Sequence, residues 1–208
     1  MDRKSPTEIA NFINTAFLDP MKIYQPLASL PPYDPNDSVL QLDELDIYKV
    51  LASLNPRKAS GPDCVSNWVL NEYAEILAQP VCSILNSSFN EQQLPISWKT
   101  ADIVPIIKSK PVTEICKHLR PISLTPALSK VAEEFVVSKH IGPAILCQID
   151  PNQFGVIPKS STLMASISMI HNWSQSTDGS GAAVRIILFD YKKAFDLIDH
   201  GILAEKIS

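Results

Sequence analysis

Apolar residues recur at helical spacing along most of this chain, and helix-start signals fix where several runs begin. Ser5-Pro6-Thr7-Glu8 reads as an N-cap, a proline at the first helical position and the glutamate of a capping box. Ile9, Phe12, Ile13, Ala16 and Phe17 then trace one helical face, which Pro20 ends. Pro20, Pro26, Pro31, Pro32 and Pro35 block regular structure, so this stretch is a linker or surface strap. A helix starting near Asp43 has Ile47, Val50, Leu51 and Leu54 as its buried stripe. After the loop Asn55–Asp63, two helices are expected, about Val65–Leu77 and Pro80–Asn90, separated near Gln79-Pro80. Their core positions would be Val69, Tyr73, Ile76 and Leu77, then Val81, Ile84 and Leu85.

The period changes at Ala101–Lys108, a strand whose Pro105 suggests an edge. Arg120–Leu124 is extended and leads into a helix with Thr125 as cap and Pro126 first, running towards His140. Gly142–Gly155 reads as a loop region, and Ser160 or Ser161 caps a helix to about Trp173. The polar turn Ser174–Gly181 precedes a short apolar strand, Val184–Phe189, that ends at Asp190. Asp199–Ser208 begins a last helix.

Composition narrows the class. With 45% hydrophobic residues the 208-residue chain can bury a core, and it has the length of one or two domains. A net charge of −4 argues against purely electrostatic binding of nucleic acid by the whole chain. The charge is uneven, however. Residues 1–50 carry eight acidic and four basic side chains, whereas residues 99–139 carry seven basic and four acidic. The middle segment could face phosphate, or be ordinary solvated surface. Cys64, Cys82, Cys116 and Cys147 form no CxxC pair, so zinc and a disulfide framework are not expected. No apolar run reaches the roughly 18 residues of a membrane helix, and MDRKSPTEIA lacks the apolar core of a signal peptide. A soluble, intracellular chain is expected.

Asp190 is the first candidate for chemistry. A carboxylate where a buried strand runs out is rigidly held yet open, as a Mg²⁺ site requires. Alone it could equally cap the next turn. The residues that follow, in FDYKKAFD (Phe189–Asp196) and then Leu197–Leu203, resemble the first palm motif of reverse transcriptases of the non-LTR (LINE, jockey-like) retrotransposon family. Four further blocks resemble that family in its order. They are Lys58 with Gly61-Pro62-Asp63; Trp98-Lys99 with Ile103–Lys108; Leu119–Leu124 with Lys130 and Glu134; and Gln153-Phe154-Gly155 with Ser160-Ser161-Thr162. Together the blocks extend from Asn55 to Leu203.

The resemblance implies a mixed, helix-rich α/β fold, the fingers and partial palm of a right-hand polymerase. Residues 1–54 would be a helical region and Pro-rich linker preceding the polymerase. Residues 55–208 would be a partial reverse transcriptase domain, with fingers over about 55–175 and the start of a truncated palm over about 176–208. It implies Asp190 as catalytic metal ligand with the Tyr191 carbonyl beside it, and Phe195 under the sugar of the incoming nucleotide, unless Phe195 is a plain core aromatic. Lys108 and Arg120 would grip the triphosphate as a mobile point charge and a planar fork of donors. A snorkelling edge lysine and an ion pair of Arg120 with Glu133 or Glu134 are the structural alternatives. Gln153 and Gly155 would approach template and primer, or form a plain turn; Asp196 and Asp199 read as turn and cap residues.

The implied cofactor is Mg²⁺, the partners an RNA template, a DNA primer and dNTP, and the location the nucleus or cytoplasm. Departures exist: His118-Leu119 stands where the family has N-(Y/F), and Val156–Lys159 where it often has F-R-x-G. The chain contains no (Y/F)-A-D-D sequence, which in the family supplies the remaining carboxylates for two metals about 3.5–4 Å apart. The 208 residues alone are therefore expected to be inactive. Other readings are a non-catalytic nucleic-acid-binding fingers module, and a fragment of a group II intron maturase or telomerase-like polymerase.

Overall fold

In a computed structural model of the chain, residues 5–23, 40–179, 183–191 and 198–207 are described. The first helix, α1 (Pro6–Leu18), opens as its sequence requires. The Glu8 N–H donates to the Ser5 hydroxyl at 3.2 Å and the Ser5 N–H donates to the Glu8 carboxylate at 2.6 Å. These bonds, the one from the Ser5 backbone foremost, hold the Glu8 carboxyl below its ordinary range. Pro20 sits in a 3₁₀ turn, Asp19–Met21, that ends the helix. The rest of the proline-rich stretch, residues 24–39, lies outside the described residues.

The chain forms two units, Met1–Val136 with Lys193–Ser208, and Val137–Lys192. In the first, α2 (Glu44–Ser53), α3 (Asn67–Glu72), α4 (Ala74–Asn90) and α6 (Ala127–Val136) enclose the core. Ile47 and Leu51 of α2 share one buried cluster with Ala78, Val81 and Leu85 of α4 and Val131 and Phe135 of α6. Asn86 ties the segment entering α2 to α4: it accepts from the Leu42 N–H at 2.8 Å and donates to the Leu42 carbonyl at 3.0 Å. Asn71 donates to the Ala52 carbonyl at 2.6 Å, closing the end of α2.

The helix break lies at Tyr73, not at Gln79-Pro80, and Pro80 is inside α4. Its missing N–H would have met the Ile76 carbonyl, and both residues face solvent, so water can satisfy that oxygen. An interior proline costs ~3 kcal/mol, and the unbroken helix sets against it one continuous buried stripe that joins Ala74 and Ala78 to Val81 and Leu85. The buried stripe is Ala74, Ala78, Val81, Leu85 and Ser88, while Val69, Tyr73, Ile76 and Ile84, expected in the core, are exposed.

Strands β1 (Asp102–Ile107) and β2 (Leu119–Leu124) form an antiparallel ribbon, joined through the single turn α5 (Ile115–His118). The Lys108 N–H donates to the His118 carbonyl at 2.8 Å. Alternation from that bond makes Pro105 and Pro121, directly opposite each other, a non-hydrogen-bonded pair. Neither proline therefore forfeits a ladder bond. Ile103 and Pro105 face α1, and with Pro6, Ile9, Ile13 and Phe17 they line a cavity of about 220 Å³. The Cys116 thiol donates to the Ala16 carbonyl at 3.1 Å, fastening α1 to α5. Helix α9 (His200–Ile207) begins on Asp199, whose carboxylate accepts from the Gly201 and Ile202 N–H groups at 2.8 and 3.2 Å.

The second unit contains a π-helical turn (Val137–Ile141), α7 (Gly142–Leu146) and α8 (Thr162–Thr177). The region expected to be loop from Gly142 thus starts with a short helix. Ser161, not Ser160, caps α8 by accepting from the Met164 N–H at 3.3 Å. The helix runs past Trp173 to Thr177, and within that last turn the Ser176 and Thr177 hydroxyls donate back to the Asn172 and Trp173 carbonyls at 2.8 and 3.1 Å. The strand expected at Val184–Phe189 is not formed among the described residues. An apolar hexapeptide has no ladder of its own, and Ile187, Leu188 and Phe189 are 72–88% exposed.

Candidate functional site

The ribbon places two of the expected functional residues together. Ile106 is opposite Arg120, and Lys108 lies two residues beyond Ile106. Opposed residues, and residues two apart, share a face of a ribbon. Lys108 and Arg120 thus project from one face at one end, both exposed, with the α1-packed face behind them. The ion pair of Arg120 with Glu133 or Glu134 is not formed. A planar guanidinium and a primary ammonium side by side on an exposed face suit a multiply charged phosphate.

His118, which departs from the family pattern, anchors this end. Its Nδ1 accepts from the Thr113 and Glu114 N–H groups at 3.2 and 3.1 Å, ordering the loop that connects the strands. The Leu119–Leu124 block has a second neighbour. Gly61, buried, lies so close to the junction after β2 that a Cβ there would stand 2.6 Å from the Pro126 nitrogen and the Thr125 carbonyl carbon. Two blocks separated by some sixty residues in sequence meet at that point.

In the second unit, Gln153 and Gly155 form a turn. The Gln153 N–H donates to the Asp150 carbonyl at 2.9 Å, and its side-chain amide donates to the Gly155 carbonyl at 3.4 Å. A Cβ on Gly155 would meet nothing within 4 Å, so no close packing there requires glycine. Lys159, where the family often has glycine, takes φ 64°, the left-handed region that glycine enters freely.

Asp190 and Tyr191 are exposed at the end of the apolar segment, Tyr191 by 82%. Phe195 and Asp196 lie outside the described residues. No group of three His, Cys, Asp or Glu side chains converges among the described residues, and Asp199 spends its carboxylate on the start of α9. Mg²⁺ commonly takes one or two carboxylates and completes its shell with water and substrate phosphates. The Asp190 carboxylate and Tyr191 carbonyl suit a shared site of that kind and not an all-protein cage. Gly61 and Asn86 have structural roles that sequence reasoning did not assign. The first was visible only as part of a motif block, and the second carried no signal.

No protein-family model matches the chain. Curated relatives do. The RNA-directed DNA polymerase from the mobile element jockey of Drosophila melanogaster is 26% identical over 164 residues, covering 78% of this chain. The resemblance is to reverse transcriptases of non-LTR retrotransposons. A probable RNA-directed DNA polymerase from transposon BS, also of Drosophila melanogaster, is 29% identical over 169 residues and 78% of the chain. The transposon TX1 uncharacterized 149 kDa protein of Xenopus laevis is 23% identical over 164 residues and 79% of the chain. The chain spans 18% of the length of the jockey and BS relatives and 12% of the TX1 protein. The architecture of this reverse-transcriptase-like chain is mixed α/β and helix-rich, with a small antiparallel sheet. No helix among the described residues is long and apolar enough to cross a membrane.

Proposed function

We propose that this chain is a portion of an RNA-directed DNA polymerase of a mobile element, containing the fingers and the first palm motif. The observation that carries the reading is the placement of Lys108 and Arg120 on one ribbon face, within motif blocks that run in the order of the reverse transcriptases. In this reading the two cations hold the triphosphate of an incoming dNTP, and Phe195 crowds the sugar's 2′ position. Gln153 and Gly155 border the template and primer. Asp190 and the Tyr191 carbonyl would hold Mg²⁺, which supplies charge neutralisation at the phosphates when bound. Nucleus and cytoplasm are the proposed locations.

One carboxylate cannot hold two metals, so the 208 residues alone bind nucleotide without polymerising it. Two measurements test this. Titration calorimetry with Mg·dTTP should show binding that Lys108→Ala with Arg120→Ala weakens at least tenfold, as charge-assisted contacts to phosphate would. Unchanged binding in that double variant refutes the nucleotide site. Primer extension with Mg²⁺ or Mn²⁺ should show no incorporation; robust synthesis abolished by Asp190→Ala refutes the inactivity.

A further inference from the structure

We infer that His118 is a third donor to the phosphate held by Lys108 and Arg120, which adds a contact to the nucleotide site proposed above and rests on that reading. The ring lies at the same end of the ribbon, on the residue whose carbonyl accepts the Lys108 N–H at 2.8 Å, two positions before Arg120. Three donors converge on its Nδ1: the Thr113 and Glu114 N–H groups at 3.2 and 3.1 Å, and the Thr113 hydroxyl at 3.4 Å. Accepting backbone N–H groups requires Nδ1 to be unprotonated, so the neutral ring carries its proton on Nε2. That Nε2–H has no acceptor among the described residues. The loop therefore fixes both the tautomer and the ring, leaving an oriented donor beside two cations.

Of the other charged groups of the loop, Lys117 and Glu114 pair with each other at 2.8 Å, and Lys110 is an exposed lysine whose charge adds to the cationic character of this end. A fork, an ammonium and an imidazole N–H at one ribbon end fit the clustered oxygens of a polyphosphate better than the isolated charge of a carboxylate. The family pattern of asparagine at this position cannot supply the same contact. Asparagine has its amide where imidazole has Nδ1 and Cδ2, so it reproduces the loop acceptor and stops short of Nε2.

The test uses the whole 208-residue chain, inorganic tripolyphosphate as probe, calorimetric titration and thermal melts. His118→Asn should keep the melting temperature of the unsubstituted chain and weaken binding roughly 10- to 100-fold, the range of one hydrogen bond to a charged group. His118→Ala should weaken binding equally and also lower the melting temperature, because the Thr113 and Glu114 N–H groups lose their acceptor. Binding by His118→Asn equal to that of the unsubstituted chain, with the Lys108→Ala/Arg120→Ala variant still impaired, overturns the role of His118 and leaves the nucleotide site standing. Unimpaired binding by the Lys108→Ala/Arg120→Ala variant, or no binding by the unsubstituted chain, overturns both.

Discussion

Gly61→Ala tests the contact between two distant motif blocks. A methyl group at residue 61 would lie 2.6 Å from the Pro126 nitrogen and the Thr125 carbonyl carbon, and 2.8 Å from the Thr125 oxygen. Carbon contacts are comfortable at about 3.5–4.0 Å, so the two backbones must separate by about 1 Å. The obstructing atoms are main chain at the β2–α6 junction, and no rotamer change can relieve them. Overpacking of this kind costs about 1–3 kcal/mol. Alanine returns about 0.4–1 kcal/mol by restricting the unfolded chain. The net loss is therefore about 1–2 kcal/mol, or a fall in Tm of about 2–8 °C at the 2–4 °C per kcal/mol expected for this size. Thermal and urea unfolding followed by circular dichroism measure it. Gly155→Ala, where a Cβ meets nothing within 4 Å, is the matched control and should be neutral or mildly stabilising. A Gly61→Ala protein that melts within about 1 °C of the unsubstituted chain would refute the reasoning.

Other expectations follow from local geometry. Lys159→Gly should stabilise the Val137–Lys192 unit by up to about 1 kcal/mol, since a left-handed non-glycine residue costs about 1–2 kcal/mol and glycine gives part of this back in chain entropy; greater protease sensitivity of that unit in the variant would contradict it. The Cys82 thiol is pushed up by burial, and further by Glu44 and Asp43. Iodoacetamide under native conditions should thus modify the exposed Cys64 and Cys147 first and Cys82 last, as peptide mapping of a time course can check. Glu8 is held below its ordinary 4.5, so its capping contribution is complete above that pH and fades as pH falls through the depressed folded value. The stability difference between Glu8→Ala and the unsubstituted chain should accordingly shrink on acidification, and a pH-independent difference would dispose of the assignment.

The legible parts of this fold were those set by short-range chemistry. Ser5, Pro6 and Glu8 define a capping box using only four residues, and Ile47 and Leu51 declare a core face at helical spacing. Pro80 misled because proline has a local cost, whereas the stripe that offsets it runs the length of α4 and is realised only against α2 and α6. Val184–Phe189 misled in the opposite sense: a β-prone apolar run needs a partner strand, and its own composition cannot provide one. At the site, register made the difference. Sequence could nominate Lys108 and Arg120 separately, but only the pairing of Ile106 with Arg120 puts them on one face. His118 looked like a mere departure from a pattern until the Thr113 and Glu114 amides showed what its ring accepts.

The opposed prolines of the ribbon also govern what can attach to it. In a non-hydrogen-bonded pair the main-chain groups point away from the partner strand, so Ile103, Pro105 and Ile107 form one outer margin and Leu119, Pro121 and Ser123 the other. Each margin has a proline at its centre and lacks a donor there. A neighbouring chain seeking to extend the sheet would meet this gap from either side. The ribbon is thereby kept two-stranded, and a cationic ribbon end with exposed Val104, Ile106 and Ile122 is denied the continuous row of amides from which cross-chain β-aggregation grows.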